Sequence, residues 1–468
     1  MHRAAGPLLA VTVALVLADS AVVTLALPDI LRELDTSVGQ VAWVLISFNL
    51  VLALGAVPAA RLLARGWAAG SSAVGIALFA GASAWCAVAG SIDVLIAARC
   101  LQAVGGALAV VGCLELLVRL YDERRGVAVW ATAGVVGTAT GPFAGGLMTE
   151  LISWQSIFVV QVPFAVLAVP AALAVRDAVP VGVETGRGEG SGSEAPGRPG
   201  PGPVRPERPD VRPNITLALL SAALTAALFL LVLLLVEGWS RSPGVAALTV
   251  SVVPIAAIAA GPLARLLQPS EEVEVAVGCF LIAGGLVGLA IPPSSDLAWT
   301  IAPQALVGLG LGLTVDRLTA RAVQLRRPRA EHAGWTIGAR HAGVVVGLAV
   351  LTPVFTADLQ DAQVPAQEAI TALVLDAPLQ PEDKISVAQA LGGALAGEQG
   401  QVPDLGPAFD RVEVEPTERA AVERLERDLD DQLERAATRA FRDSFLAGAG
   451  FALLALLVVV LPGRRRTT

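Results

Sequence analysis

Twelve apolar stretches, each long enough to cross a lipid bilayer as a helix, recur along this 468-residue chain. A helix needs ~20 apolar residues to cross the hydrocarbon core. Hydrophobic residues make up 54% of the chain but aromatic residues only 4%, so Ala, Val, Leu and Gly carry most of the apolar character. This pattern predicts an all-α polytopic membrane protein and not a soluble domain. The predicted helices lie at residues 7–30, 41–60, 70–90, 92–119, 126–149, 156–175, 214–237, 244–267, 275–292, 299–323, 333–355 and 442–462.

The twelve predicted helices form two sets of six. Residues 187–209, between the sets, are charged and rich in Pro and Gly, which predicts a disordered linker. A faint internal repeat, in which residues 58–66 match residues 261–269, suggests a transporter with its site between two halves. The predicted domains are a first six-helix bundle at 1–176, a cytoplasmic linker at 177–213, helices 7–11 at 214–356, an insert at 357–441, and helix 12 with a basic tail at 442–468.

Arginines are concentrated in every second loop and in both termini, whereas the alternate loops carry little more than Arg32 and Arg241. Cytoplasmic loops of membrane proteins are enriched in Arg and Lys. We therefore expect a multi-pass protein of the cytoplasmic cell membrane with both termini in the cytoplasm. We further expect a monomer that binds no nucleic acid.

The insert at 357–441 is acidic and lies on the extracytoplasmic side in this topology. Residues 357–443 carry a net charge of −11, while the remainder of the chain carries +3. Residues 416–445 predict one long helix that continues into helix 12, packed against shorter helices near 363–375 and 384–396. Two uses remain open: a cap that stabilises the outer face, or a surface for a lipidic substrate or an extracytoplasmic partner. The apolar stripe of the long helix comprises Val422, Leu425, Leu429, Leu433, Ala436 and Ala440.

The segment "GVVGTATGPFAGG" (134–146) places glycines every four residues along predicted helix 5. Gly137, Gly141 and Gly145 share one helix face, on which a neighbouring helix can pack closely. Pro142 removes a backbone donor and bends the helix. Gly146 extends this strip of small residues.

These residues resemble a known family. "GTATGPFAGG" (137–146) resembles motif C of major facilitator antiporters, and "WQSIFVVQVP" (154–163) resembles the segment that follows it in the drug:proton antiporter branch. "DSAVVTLALPDI" (19–30), "RCLQAVGGA" (99–107) and "EHAGWTIGARHAGVVVG" (331–347) are similar to three further signatures of that branch. The resemblance implies the major facilitator fold and proton-coupled export of amphiphilic or drug-like molecules by alternating access. The proton would be the coupling ion, with no other cofactor and no enzymatic activity.

The sequence departs from the family pattern in the loop between helices 2 and 3. Arg61 and Arg65 match the basic residues of a cytoplasmic gating motif, but Ala64 occupies the position of its Asp. The branch usually has fourteen helices, and this chain has twelve. Two alternatives therefore stay open: a lipid or glycolipid exporter that uses the insert, and a non-transporting membrane scaffold. A transporter should keep a polar cavity that contains Asp19, whereas a scaffold can fill it.

Two charges interrupt the apolar runs of helices 1 and 4. Helix rise places Asp19 ~16 Å and Arg99 ~20 Å from the inner boundary, so they should meet at a similar depth. A carboxylate that faces an arginine is the expected way to tolerate both. Asp19 either carries the coupling proton or forms a permanent pair that fixes helix packing. An acidic Asp19 in an apolar cavity would favour cationic or neutral substrates.

Further polar residues lie within the predicted helices. Asn49, Gln102 and Gln304 are candidates for contacts in the cavity, although each could instead form a hydrogen bond between helices. The family resemblance makes Arg340 a candidate cavity cation, and His341 follows it. The four cysteines have no metal-binding spacing and are expected to be small buried residues.

Overall fold

The fold is a helical membrane bundle. The structure is a computed structural model that describes residues 2–178, 209–323, 328–397, 409 and 418–461. Eleven helices of the described chain are long and apolar enough to span a membrane, and a bent helix pair brings the number to twelve. The predicted all-α polytopic fold is therefore confirmed. Most of the predicted linker, residues 179–208, lies outside the described residues.

The membrane helices are numbered α1–α12 in chain order. The first six form the N-terminal half: α1 Ala4–Thr24, α2 Gly39–Arg65, α3 Ala68–Ala87, α4 Ile92–Leu120, α5 Glu123–Leu151 and α6 Ser156–Val175. The other six form the C-terminal half: α7 Val211–Gly238, α8 Pro243–Leu267, α9 Glu271–Ala290, α10 Ala298–Val323, α11 Arg329–Asp376 and α12 Arg419–Val460.

The first membrane helix is shorter than the sequence predicted. We expected a helix over 7–30, but it ends at Thr24, and a separate short helix follows at Leu27–Glu33. Pro28 lies in the first turn of this short helix, where backbone N–H groups have no acceptor within the helix, so its missing N–H costs no hydrogen bond. Its fixed φ also suits the start of a helix. The proline therefore begins a new helix at a point where hydropathy alone predicts that the first helix continues.

Helix α1 packs along the glycine strip of α5. A Cβ at Gly137 would collide with the carbonyl oxygen of Ala14, and one at Gly145 would collide with that of Val22. A Cβ at Gly141 would lie 3.0 Å from the Cβ of Ala21. The absent side chains thus allow the α1 backbone to lie directly on α5.

The same helix bends and contacts the other half of the protein. The bend in α5 is 42° and falls between Thr138 and Thr140. Pro142 cannot donate to the carbonyl four residues earlier, that of Thr138, and its ring clashes with that carbonyl, which accounts for the position of the bend. Beyond the bend, Gly146 faces Pro243 and Ala247 at the start of α8.

The insert is built from extensions of two membrane helices. α11 continues without a break to Asp376, so the expected separate helix near 363–375 is instead part of α11. A short helix at Pro381–Gly397 follows, and α12 begins at Arg419. The buried stripe of α12 includes Ala437, four residues after Leu433, whereas the predicted Ala436 is only half-buried. These helices share a small core of Ile370, Val374, Ala377, Leu379, Val387, Leu391, Phe409, Val422, Leu425, Leu429 and Leu433.

The bundle has two ends, which we name by what they carry. The linker face is the end at which α6 ends and α7 begins, and the insert face is the end from which α11 and α12 extend into the insert. Arg61 of α2 forms an ion pair of 2.9 Å with Glu331 of α11 at the linker face, and Arg329 of α11 forms one of 2.5 Å with Glu123 of α5. Arg65 is exposed and forms no ion pair within the described residues.

Close backbone packing accompanies these ion pairs at the linker face. A Cβ at Gly334 of α11 would lie 2.8 Å from the carbonyl oxygen of Ala56, and one at Gly338 would lie 3.0 Å from that of Ala53. At the insert face, the backbone N–H of Gly244 donates to Oε2 of Glu150 over 3.0 Å. The two halves are therefore in contact at both ends of the bundle.

Candidate functional site

A charged network lies inside the N-terminal half. Asp19 of α1 and Arg99 of α4 form an ion pair, and both side chains are 0% exposed. The Nε2 of Gln102 donates to Oδ1 of Asp19 over 3.2 Å, and the Nε2 of Gln161 donates to the same oxygen over 3.0 Å. Ser83 accepts from Gln102 over 2.8 Å. We call these five residues the Asp19 network; together they supply the partners that a buried carboxylate requires.

The arginine is held by several helices at once. Its Nη1 also donates to Oε1 of Gln102 over 2.6 Å, and its Nε donates to the carbonyl of Val44 on α2 over 3.2 Å. The guanidinium carbon lies 4.1 Å from the ring centroid of Phe48 and 5.7 Å from that of Phe158. Aromatic faces attract a desolvated cation. Nη2 of Arg99 has no hydrogen-bond partner among the described residues, and the two rings partly compensate for that missing bond.

A cavity lies between the two halves, beside this network. It encloses about 660 Å³, including the part open to solvent. Helices α1, α2 and α5 line it from one half, and α7 and α11 from the other. Leu228 and Phe229 come from a π-helical segment of α7, Ala226–Leu230, a kind of irregularity often found at functional sites. The lining residues are Leu17, Ser20, Ala21, Thr24, Leu45, Asn49, Thr138, Ser221, Leu224, Thr225, Leu228, Phe229, Arg340, His341 and Val344.

Asn49 connects the two halves across the cavity. Its Nδ2 donates to the carbonyl of Leu45 over 2.8 Å and to Oγ of Ser20 over 3.0 Å. These bonds fix the amide so that Oδ1 faces His341, whose Nδ1 lies 2.6 Å away. Oδ1 is an acceptor, so Nδ1 of His341 carries the proton in this contact.

The structure places Asn49 and Arg340 on the cavity wall, but three other candidates lie elsewhere. Asp19 itself is not a lining residue, because the Asp19 network encloses its carboxylate. Gln102 belongs to that network, and its position one helical turn after Arg99 puts both on one face of α4. Gln304 is fully buried, donates to Oγ1 of Thr300 over 2.9 Å, and does not line the cavity. The expectation of a cavity containing Asp19, Gln102 and Gln304 is therefore corrected.

Two members of the Asp19 network were not predicted from the sequence. Gln161 lies in the segment that resembles the antiporter branch, and Ser83 lies in predicted helix 3. Both are polar residues in otherwise apolar spans, which was the available signal. Asp316 of α10, which was not among the candidates, interacts electrostatically with Arg340.

No described residues form a metal centre. Within the described chain, no three or more His, Cys, Asp and Glu side chains are grouped as metal ligands would be. Cys86, Cys113 and Cys279 are buried thiols and Cys100 is half-buried, and all four are free.

Two six-helix halves around a central cavity form the fold of a polytopic membrane protein of the transporter type. The chain belongs to the Major Facilitator Superfamily, whose family model matches residues 9–352. It is thus a multi-pass membrane protein of a transporter family and not an enzyme.

The similar proteins include resistance and efflux proteins. The methylenomycin A resistance protein of Bacillus subtilis is 34% identical over 166 residues, 35% of this chain and 36% of that protein. The multidrug efflux pump LfrA of Mycolicibacterium smegmatis is 33% identical over 159 residues, 33% of this chain and 32% of that protein. The matched region thus spans about a third of the length of these curated relatives.

The fold also matches a solved transporter over nearly its full length. The crystal structure of a bacterial homologue of the human lysosomal transporter Spinster, inward-facing and unoccupied, aligns with a TM-score of 0.59 and 15% identity. The alignment covers 98% of this chain and 97% of that one. At this level of identity the two proteins share a fold.

Proposed function

We propose that this protein is a proton-coupled exporter of amphiphilic, drug-like small molecules that works by alternating access, with Asp19 as the proton carrier. The observation that carries the proposal is the fully buried ion pair of Asp19 and Arg99 beside a cavity between the two halves. The names of the resistance and efflux relatives support export of small molecules.

The energetics of the ion pair support a role beyond packing. Replacing a buried ion pair by apolar residues of similar volume is often neutral or stabilising, so helix packing alone does not require these charges. Ionisable residues inside membrane spans commonly mark ion or proton pathways. An ion pair that can open and close gives the transporter the two-state element that coupling requires.

The proposed cycle exchanges one proton on Asp19 for substrate in the cavity. While Arg99 donates to the Asp19 carboxylate, the charges of the pair compensate each other and the two halves can close. When α1 moves relative to α4, Arg99 withdraws and the exposed carboxylate binds a proton from water. Reformation of the pair on the other side of the membrane releases that proton to water, while the two halves rock about the cavity.

The cavity lies beside Asp19 and does not contain it, so it is the open space between the halves, and not the position of Asp19, that favours a transporter over a scaffold. A scaffold could fill this space with side chains, but here the space stays open and is lined by helices of both halves. Six of its lining side chains are hydroxyl or amide groups, which supply neutral polar contacts. The cavity, more than the insert, is the feature that a transported molecule would use.

The proposal also orients the protein in the cytoplasmic cell membrane. Arg61, Arg65 and Arg329 lie at the linker face, which agrees with a cytoplasmic position for that end and for both termini. The acidic insert would then lie outside the cytoplasm. In everted membrane vesicles, a cysteine introduced at the exposed Leu375 of the insert should be sealed from an impermeant thiol reagent.

The first experiment measures proton movement in those vesicles. A pH gradient is imposed and followed with a quenched acridine dye while cationic, neutral and anionic amphiphiles are added. The wild-type protein should dissipate the gradient when it receives a substrate, and Asp19→Asn should abolish this response. Asp93→Asn is the matched control, because Asp93 is exposed at the start of α4. Substrate-dependent proton movement at the wild-type rate in Asp19→Asn would refute the role of Asp19.

A further inference from the structure

We propose that the central cavity binds amphiphiles with an anionic headgroup, which Arg340 holds. This inference concerns the substrate class of the cavity and rests on the proposed transport function. It reverses the expectation drawn from Asp19, which favoured cationic or neutral substrates over anions. Four observations on the cavity wall carry it.

The first observation is the charge of the lining. Arg340 is the one residue with a permanent charge among those that line the cavity, and no carboxylate is found among them. Asp19 is fully buried behind the wall and compensated by Arg99. Arg340 is therefore the charged group that a ligand in the cavity would meet, and it favours a negatively charged ligand.

The second observation is that the guanidinium of Arg340 keeps its donors for a ligand. In the described part of the chain, its side chain forms no hydrogen bond and no ion pair within 4.0 Å. Asp316 of α10 interacts with it electrostatically but does not line the cavity. A planar guanidinium with uncommitted N–H groups matches the two oxygens of a carboxylate, sulfonate or phosphate.

The third observation concerns His341, the next residue of α11. Asn49 accepts from its Nδ1, so the ring is oriented by a bond to the opposite half of the protein. Nε2 forms no hydrogen bond within the described residues. A headgroup held by Arg340 would thus lie close to the Asn49–His341 contact that joins α2 and α11.

The fourth observation is the apolar remainder of the wall. Leu17, Leu45, Leu224, Leu228, Phe229 and Val344 supply hydrocarbon and one aromatic ring. These groups fit the apolar body of an amphiphile, whose burial supplies the non-directional part of the affinity. The predicted ligand is therefore neither a small hydrophilic anion nor a quaternary amine.

The test uses three probes that share one apolar body: 11-(dansylamino)undecanoate, its methyl ester, and a dansylaminoundecyl trimethylammonium ion. Dansyl fluorescence reports their binding to purified protein in nanodiscs, and their efflux is measured in proteoliposomes. We expect the wild-type protein to bind the carboxylate at least about tenfold more tightly than the cation. Arg340→Gln should lose about tenfold for the carboxylate and little for the ester or cation, and Arg340→Lys should restore part of the loss. Arg265→Gln, exposed at the end of α8, is the control.

The outcomes separate the substrate class from the transport function. Tighter binding of the cation than of the carboxylate by the wild-type protein, or no binding of the carboxylate, would overturn the anion site. An equal loss for all three probes in Arg340→Gln, without rescue by Arg340→Lys, would overturn the role of Arg340. Carboxylate-selective binding without efflux of any probe would support the anion site and refute the proposed transport.

Discussion

Arg99 is a fully buried cation whose guanidinium contacts one carboxylate and lies over two aromatic rings. Its charge is tolerated because Asp19 faces it, and the charge of Asp19 is tolerated because Arg99, Gln102 and Gln161 donate to it. The free-energy cost of burying either charge therefore depends on the presence of the other. Removal of one leaves a buried charge, whereas removal of both does not.

This mutual dependence predicts a non-additive double-mutant cycle. Arg99→Gln should lower the free energy of unfolding by about 3–5 kcal/mol, because it leaves the Asp19 carboxylate buried without its cation. The double variant Asp19→Asn/Arg99→Gln should recover most of that loss, because amides can replace the lost bonds. Unfolding in mixed detergent and SDS micelles measures both values. Arg119→Gln, exposed near the end of α4, is the control. Losses that simply add in the double variant would contradict the coupling.

Residue depth could be derived from the sequence, but the partners of each residue could not. The rise of a helix placed Asp19 and Arg99 at the same level, which is a one-dimensional statement. Gln161 lies 142 positions after Asp19 and reaches it only because α6 packs against α1. Gln304 looked equivalent to Gln102 by its place in the chain, yet it bonds within α10. Which side of a helix faces the cavity depends on helix rotation, which apolar spans of Ala, Leu and Gly leave poorly specified.

The motif C glycines act at the scale of whole helices. Gly137 and Gly145 remove the atoms that would otherwise keep the backbones of α1 and α5 apart. Because α1 also carries Asp19, the position in which α1 packs on α5 fixes where that carboxylate lies relative to α4. Close packing and charge pairing are therefore linked through one helix.

The substitution Gly145→Ala tests how much the close packing of α1 on α5 contributes to stability. The new methyl group would meet the Val22 carbonyl, so we expect a loss of about 1–3 kcal/mol. Gly81→Ala in α3 is the matched control: no heavy atom lies within 4 Å of its Cβ position, and alanine favours a helix by up to about 1 kcal/mol. Thermal unfolding can be followed by a thiol-reactive dye at the buried Cys86, Cys113 and Cys279. Equal midpoints for the two variants would show that the Gly145 contact does not limit stability.

The helix boundaries show where hydropathy stops being informative. The number of spans followed from hydropathy, because the bilayer sets a minimum apolar length. The break after Thr24 did not, because the residues on both sides are apolar and only Pro28 marks the new helix. The continuation of α11 to Asp376 was also missed, because polar residues that leave the membrane can remain helical.

At the scale of the whole molecule, the two halves are in contact at both faces, with the cavity between them. The linker face is held by the ion pairs of Arg61 and Arg329 and by the packing of α11 glycines on α2. The pair of Arg61 and Glu331 is largely exposed and contributes at most about 1 kcal/mol, whereas Arg329 is buried in its pair with Glu123. The backbone contact at Gly334 is less adaptable, and we infer that it contributes most to closure of this face.

Gly334→Val should therefore open the linker face. The valine side chain would meet the carbonyl of Ala56 and the Cβ of Ala60 in the closed state. If opening relieves this strain, every 1.4 kcal/mol relieved raises the ratio of open to closed molecules tenfold. Spin labels at Leu62 of α2 and Leu266 of α8, both exposed, should report a longer distance in an otherwise cysteine-free protein.

The control for this variant is Gly261→Val in α8, where a Cβ meets no heavy atom within 4 Å and the spin-label distance should match that of the parent protein. A second label pair at Leu151 and Ile291, near the insert face, should not lengthen, because alternating access opens one face at a time. If the linker-face distance in Gly334→Val equals that of the parent, the packing of α2 on α11 does not hold this face closed. If both label pairs lengthen together, the variant has loosened the whole contact between the halves, and the two faces do not alternate.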